Sequence, residues 1–228
     1  MNQYESWREQ TIARLLAQSN YNFSDLCDIV TILRGPGGCP WDIEQDHHSI
    51  RKGMIEECYE VVEAIDRDDT ALLREELGDV LFQVVFHARI AEELERFDLE
   101  DICDEICRKM IIRHPHVFGD VVAETSGDVL KNWDKIKADT KHQKTLGEKL
   151  DSIAKPLPAL VRTQKVMHKA AKEVEVPKTV SSSALTEEEK AIGAAFCEIL
   201  ARCEKADLDA ETVLRHYCDA LIEEISAQ

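Results

Sequence analysis

An all-α fold is what this sequence predicts, and three observations carry the prediction. Apolar residues recur at three- and four-residue spacing along most of the 228 residues, and strand-like alternation is nearly absent. Turn-formers and aromatics are few: nine Gly, six Pro and 6% aromatic residues. With 44% hydrophobic content the chain is apolar enough for one ordinary domain or two small ones, which excludes disordered, collagen-like and low-complexity classes.

Taken in order, Trp7, Ile12, Leu15 and Leu16 place a first helix within residues 3–18. A second starts at Ser24 as N-cap, with Leu26, Ile29, Val30 and Leu33 on its apolar face. It stops at Arg34-Gly35-Pro36-Gly37-Gly38-Cys39-Pro40-Trp41-Asp42, where clustered Gly and Pro require a shaped loop. Long helices follow over about 50–66, 71–94 and, after Asp98 as N-cap, 99–113, then a short one around 129–137. Lys155-Pro156-Leu157-Pro158 breaks the pattern ahead of a helix reaching about 172. The stretch 177–186, with three consecutive serines, reads as a flexible connection before the last helices, about 187–203 and 211–225.

Lys plus Arg total 28 against 45 Asp plus Glu, a formal net charge of -17, so this surface repels nucleic acid and an anionic ligand needs a mediating cation. No signal-peptide pattern opens the chain and no apolar run approaches the roughly 20 residues of a membrane span, so a soluble, cytoplasmic protein with no membrane partner is expected. The eight cysteines form no C-x-x-C pair and are expected to be buried free thiols. His114 and His116 flank Pro115 without the cysteine pair a structural zinc would use.

The chemistry concentrates on two helices. On the first, Met54, Ile55, Cys58, Val61, Val62 and Ile65 form a core stripe; Glu57 and Glu60 lie 60° apart at its margin, and Glu56 and Glu63 further round on a solvated face. The next helix is apolar nearly all round and is expected to be buried, except for one narrow stripe, Glu76, Asp79, Gln83 and His87. Unpaired carboxylates there would cost several kcal/mol each, and no Arg or Lys shares the stripe. Antiparallel packing across the short 67–70 connection brings Glu57 and Glu60 opposite Glu76 and Asp79. Four carboxylates with room for water and phosphate suit Mg²⁺. Lys109 and Arg113, one turn apart, could hold a phosphate tail. Trp133 and Lys137 share that spacing, and either a stacking contact with a phosphate donor or a core Trp with a solvated Lys would satisfy it.

These residues resemble the MazG family of nucleoside triphosphate pyrophosphohydrolases. The matching pieces are the Leu33–Asp42 loop, Glu56-Glu57-Cys58-Tyr59-Glu60, Glu75-Glu76-Leu77-Gly78-Asp79 and Arg113-His114-Pro115-His116-Val117-Phe118. The resemblance implies a MazG-like helical bundle, Glu57, Glu60, Glu76 and Asp79 as ligands of Mg²⁺ (Mn²⁺ as a substitute), and Lys109, Arg113, Trp133 and Lys137 as nucleotide contacts. It further implies hydrolysis of a nucleoside triphosphate to monophosphate and pyrophosphate by a homodimer. Glu56 is assigned to the attacking water, with Glu63 as its rival.

The tail carries a second, degenerate helical repeat. Setting Glu188-Glu189 against Glu75-Glu76 also aligns Ala201-Arg202 with Ala88-Arg89, and the stripe becomes Glu189, Ile192, Phe196 and Leu200. No E-E-x-x-E helix precedes it. The expected organisation is a catalytic domain over 1–144 and a structural or dimerising repeat over 145–228. A nucleotide-sensing module that keeps the fold without turnover is the alternative function, and a di-iron bundle is disfavoured because only Glu44 and His47 offer its Glu-x-x-His spacing.

Overall fold

The computed structural model describes residues 2–129, 132, 133, 136 and 145–227, and among them no strand occurs. The helices are α1 (Gln3–Ala17), α2 (Phe23–Arg34), α3 (Pro40–Glu44), α4 (Arg51–Asp66), α5 (Thr70–Glu93), α6 (Leu99–Arg113), α7 (Pro115–Phe118), α8 (Leu146–Asp151), α9 (Ala159–Ala171), α10 (Glu187–Lys205) and α11 (Ala210–Ser226). None is long and apolar enough to cross a membrane. The chain divides into two compact units, residues 1–120 and 121–228.

In the first unit, α2 starts two residues earlier than the Ser24 cap predicted: Asn22 takes that role, its side chain accepting from the Ser24 and Asp25 N–H groups while Asp25 reaches back to the Asn22 N–H. Arg14 of α1 pairs with Asp25 and, at 2.6 Å, with Asp28, fixing α1 on α2. The Gly/Pro loop contains the one-turn helix α3, with Pro40 in its first turn where the missing N–H costs nothing. Gly38 is required ahead of it, because a Cβ there would lie 2.2 Å from the Leu33 carbonyl oxygen.

Helices α4 and α5 form the main pair of this unit. Asp68 turns the chain in the left-handed region (φ 51°) and Asp69 caps α5, accepting from the Ala71 and Leu72 N–H groups at 3.1 and 3.0 Å. Val30 of α2, Ile50, and Val85, Phe86 and Ile90 of α5 make the core, with Leu26, Cys27, Phe82 and Leu99 packed on it.

This packing corrects two expectations. The inner face of α4 runs through Gly53, Glu57, Val61 and Ala64, so Ile55, Cys58 and Ile65 point outward and Glu57 faces α5 instead of lying at the margin. Apart from Glu76, the buried residues of α5 lie in its second half, where Val30 of α2 packs; Leu77 and Leu81 stay 51% and 41% exposed. The thiols are free, but only Cys203 is buried; Cys58, Cys103, Cys107 and Cys218 lie on outward faces.

The second unit is built on α9, which packs against α8, α10 and α11. Leu200, Cys203 and Ala210 form its core with Leu160 and Met167. Gln164 of α9 clamps the α10–α11 turn, donating to the Leu208 carbonyl at 2.9 Å and accepting from the Ala210 N–H at 3.1 Å. Of the helix expected near 129–137, residues 129, 132, 133 and 136 are helical, and the others lie outside the described residues.

Candidate metal centre

The α4–α5 pair brings together three of the four carboxylates expected to converge. Ligand oxygens of Glu57, Glu76 and Asp79 all lie within 4.8 Å of one another. Glu76 is 8% exposed, Glu57 half-buried and Asp79 open to solvent. Glu60, one turn along α4, is exposed but near enough to act on Glu57 and Glu76 by hydrogen bond and by charge. Burial first, and then the neighbouring carboxylates, push the Glu57 and Glu76 carboxyls above the ordinary range. Elsewhere on α4, Lys52 pairs with Glu56 and Arg67 with Glu63, both at 2.9 Å. Among the described residues no ion pair involves the four carboxylates.

This donor set fits a hard divalent cation. In an octahedral shell of metal–oxygen distance about 2.1 Å, neighbouring oxygens lie about 3 to 4.2 Å apart, so modest side-chain rotation closes the three carboxylates around an ion. The site therefore makes a stability prediction. Glu57 and Glu76 have folded pKa values above their unfolded ones, so the penalty they impose is absent below about pH 4 and grows as pH rises through the raised values. A divalent cation requires the deprotonated groups and reverses that penalty. Melting temperature recorded with and without Mg²⁺ should show a metal-induced rise at pH 7 that vanishes as pH falls through the carboxyl range. A rise of equal size at pH 4 would remove these groups from the metal site.

Placement of the remaining predicted residues is mixed. Glu56 is exposed and held by Lys52. Lys109 is exposed on α6 and Arg113, its last residue, is half-buried. Trp133 is half-buried in the second unit, and Lys137 lies outside the described residues.

Two features were not anticipated. Arg34, in the motif loop, has a side chain only 5% exposed; its guanidinium donates to Glu93 at 2.7 Å, to the Asp42 and Gln45 carbonyls at 2.5 and 3.1 Å, and lies 5.0 Å from the Phe86 ring centroid. A lone Arg ahead of glycine gives no sign of a partner 59 residues away. His47 meets His87, the last member of the α5 stripe, with Nδ1 atoms 2.9 Å apart and rings stacked at 11°. Burial, then the charge of His47, lowers the His87 pKa.

Residues 45–118 match the MazG nucleotide pyrophosphohydrolase domain. A nucleoside triphosphate pyrophosphohydrolase of Escherichia coli K12 is 50% identical over 147 residues, 64% of this chain and 56% of that protein. The Thermotoga maritima nucleoside triphosphate pyrophosphohydrolase/pyrophosphatase MazG is 44% identical over 149 residues, 65% of this chain and 56% of its own length. The Bacillus subtilis protein YabN is 50% identical over 148 residues, 64% of this chain but 30% of that protein. The match thus spans from under a third to little more than half of these relatives.

Proposed function

Because this chain is a MazG-family homologue, we propose that it hydrolyses nucleoside triphosphates to the monophosphate and pyrophosphate, with Mg²⁺ (or Mn²⁺) held by Glu57, Glu60, Glu76 and Asp79. The convergence of three carboxylates from two helices within 4.8 Å carries the proposal. Bound there, the ion would acidify or orient a water and neutralise charge on the phosphates.

The water oxygen attacks the α-phosphorus, the bond from that phosphorus to the α,β-bridging oxygen breaks, pyrophosphate leaves, and the water gives up a proton. Glu56, next to Glu57, is assigned to orient that water or take its proton, and Lys52 holds the carboxylate in place. Glu63, tied to Arg67, is the less favoured base. Lys109 and Arg113 are assigned to the phosphate tail, and Trp133 and Lys137 to the nucleotide.

The second unit is assigned as a degenerate repeat without a metal site. In support, the α5–α6 and α10–α11 turns share one construction: Glu95 and Asp207 are both left-handed (φ 52° and 55°), and Asp98 and Asp209 both cap the following helix. The protein is further assigned as a homodimer, because Ile55 and Tyr59 of α4 and Leu77 and Leu81 of α5 present an uncovered apolar face beside the site. Static light scattering should give twice the chain mass; the mass of one chain would remove the dimer.

The test of the activity is incubation with a panel of ribo- and deoxynucleoside triphosphates, with and without Mg²⁺, and separation of the products. Monophosphate plus pyrophosphate, only with metal, is expected, and Glu189→Gln should match wild type, since Gln can keep the Thr186 capping box. Diphosphate plus orthophosphate would overturn the assignment, and metal-dependent binding without turnover would identify a nucleotide sensor.

A further inference from the structure

The polar stripe of α5 does not end at the carboxylates. Gln83 lies four residues beyond Asp79, about 6 Å along the axis, and His87 about 6 Å further. Gln83 is half-buried, and among the described residues its carboxamide has no hydrogen-bond partner, so a donor and an acceptor are both unspent. Its place is made by α4: a Cβ on Gly53 would sit 2.9 Å from Gln83 Nε2, so any larger residue there would push the carboxamide from its present position. Beyond it, His47 and His87 close the seam through their 2.9 Å Nδ1 contact and use those nitrogens on each other.

Packing does not demand these polar residues. In the register that aligns Glu76 with Glu189, the positions of Gln83 and His87 are taken by Phe196 and Leu200, and both line an apolar cavity of about 510 Å³ in the second unit. The same helix position accepts a large apolar side chain where no carboxylate cluster stands beside it. Helix α6 starts at Leu99, which packs on the core built on the second half of α5, and ends at Arg113, the residue assigned above to the phosphate tail. A substrate whose phosphates meet the carboxylates and whose nucleoside runs along the α5 stripe would reach Gln83 next.

We infer that Gln83 is a specificity-determining residue whose carboxamide hydrogen-bonds to the edge of the substrate's nucleobase, with Gly53 giving it room and the His47–His87 pair closing the α4–α5 seam beyond it. A carboxamide offers the adjacent donor and acceptor that a base edge presents. The inference rests on the pyrophosphohydrolase reading above.

Steady-state kinetics on the four ribonucleoside triphosphates and their deoxy counterparts tests it, comparing wild type with Gln83→Leu and, as a second route that leaves Gln83 in place, Gly53→Ala. Loss of one neutral hydrogen bond predicts about a tenfold rise in KM for the preferred base, with most of the effect on KM and not on kcat. The ratio of kcat/KM between best and worst base should collapse toward one in Gln83→Leu and move the same way in Gly53→Ala, while the Mg²⁺-induced rise in melting temperature persists. Unaltered base ratios, a change confined to the ribose-to-deoxyribose ratio, or a wild type that treats all four bases alike would overturn the inference and leave the activity standing. A wild type inactive on the whole panel would overturn the activity itself, and this inference with it.

Discussion

Replacing Glu57 by Gln or Asp79 by Asn is expected to lower kcat for nucleoside triphosphate hydrolysis by roughly a thousandfold, with the helical circular dichroism spectrum intact. Each change keeps shape and removes one negative oxygen from a site whose metal would supply several kcal/mol of transition-state stabilisation. The fold should survive because the carboxylates oppose it: Glu57 and Glu76 are held above their ordinary pKa by burial and by one another, so neutralising one relieves repulsion. Without metal the variants should melt at or above the wild-type temperature, and Mg²⁺ should no longer raise it. Loss of activity accompanied by unfolding would instead make these residues structural, and full activity in either variant would remove the site.

The second large effect belongs to Arg34. Arg34→Met should destabilise the first unit by roughly 3 kcal/mol, as expected when one member of a buried pair is removed, lowering its melting temperature by roughly 10 °C. The side chain ties three elements: Glu93 at the end of α5, the carbonyls of Asp42 and Gln45 around α3, and the face of Phe86 in the core. Burial raises the Glu93 carboxyl, but Arg34 and Arg89 more than offset it and hold the group below its usual range. That contribution is therefore present at neutral pH and lost as pH falls through the lowered value. Arg34→Lys keeps the charge without the planar fork and should fall between wild type and Met. Thermal melts of the three proteins decide it; a Met variant as stable as wild type would show the bonds to be incidental.

How much of this was legible in the sequence depended on whether local periodicity or distant packing decided the outcome. The long helices were readable because their caps are local: Asp98 reaches only to Asp101, and Thr186 only to Glu189. The carboxylate cluster was readable because a short connection forces α4 and α5 together and the three- and four-residue spacing then sets which oxygens meet. The burial of α5 was misjudged, since hydropathy alone cannot say that α2 covers only its second half and leaves Leu77 and Leu81 exposed. The same ambiguity misplaced the α4 stripe: Met54, Ile55, Cys58 and Ile65 span an arc wide enough for two faces, and only the partner helix chooses the one centred on Glu57 and Val61. Arg34–Glu93 and His47–His87 are separated by 59 and 40 residues, and no local signal announces either pair.

The most direct test of the central claim is a crystal structure of the protein with Mn²⁺ and a nucleotide whose α,β-bridging oxygen is replaced by methylene. The expected result is an anomalous peak among Glu57, Glu60, Glu76 and Asp79, at about 2.2 Å from the coordinating oxygens, with the α-phosphate in the same coordination shell. Manganese held by other residues, or a nucleotide bound away from the α4–α5 seam, would contradict the account.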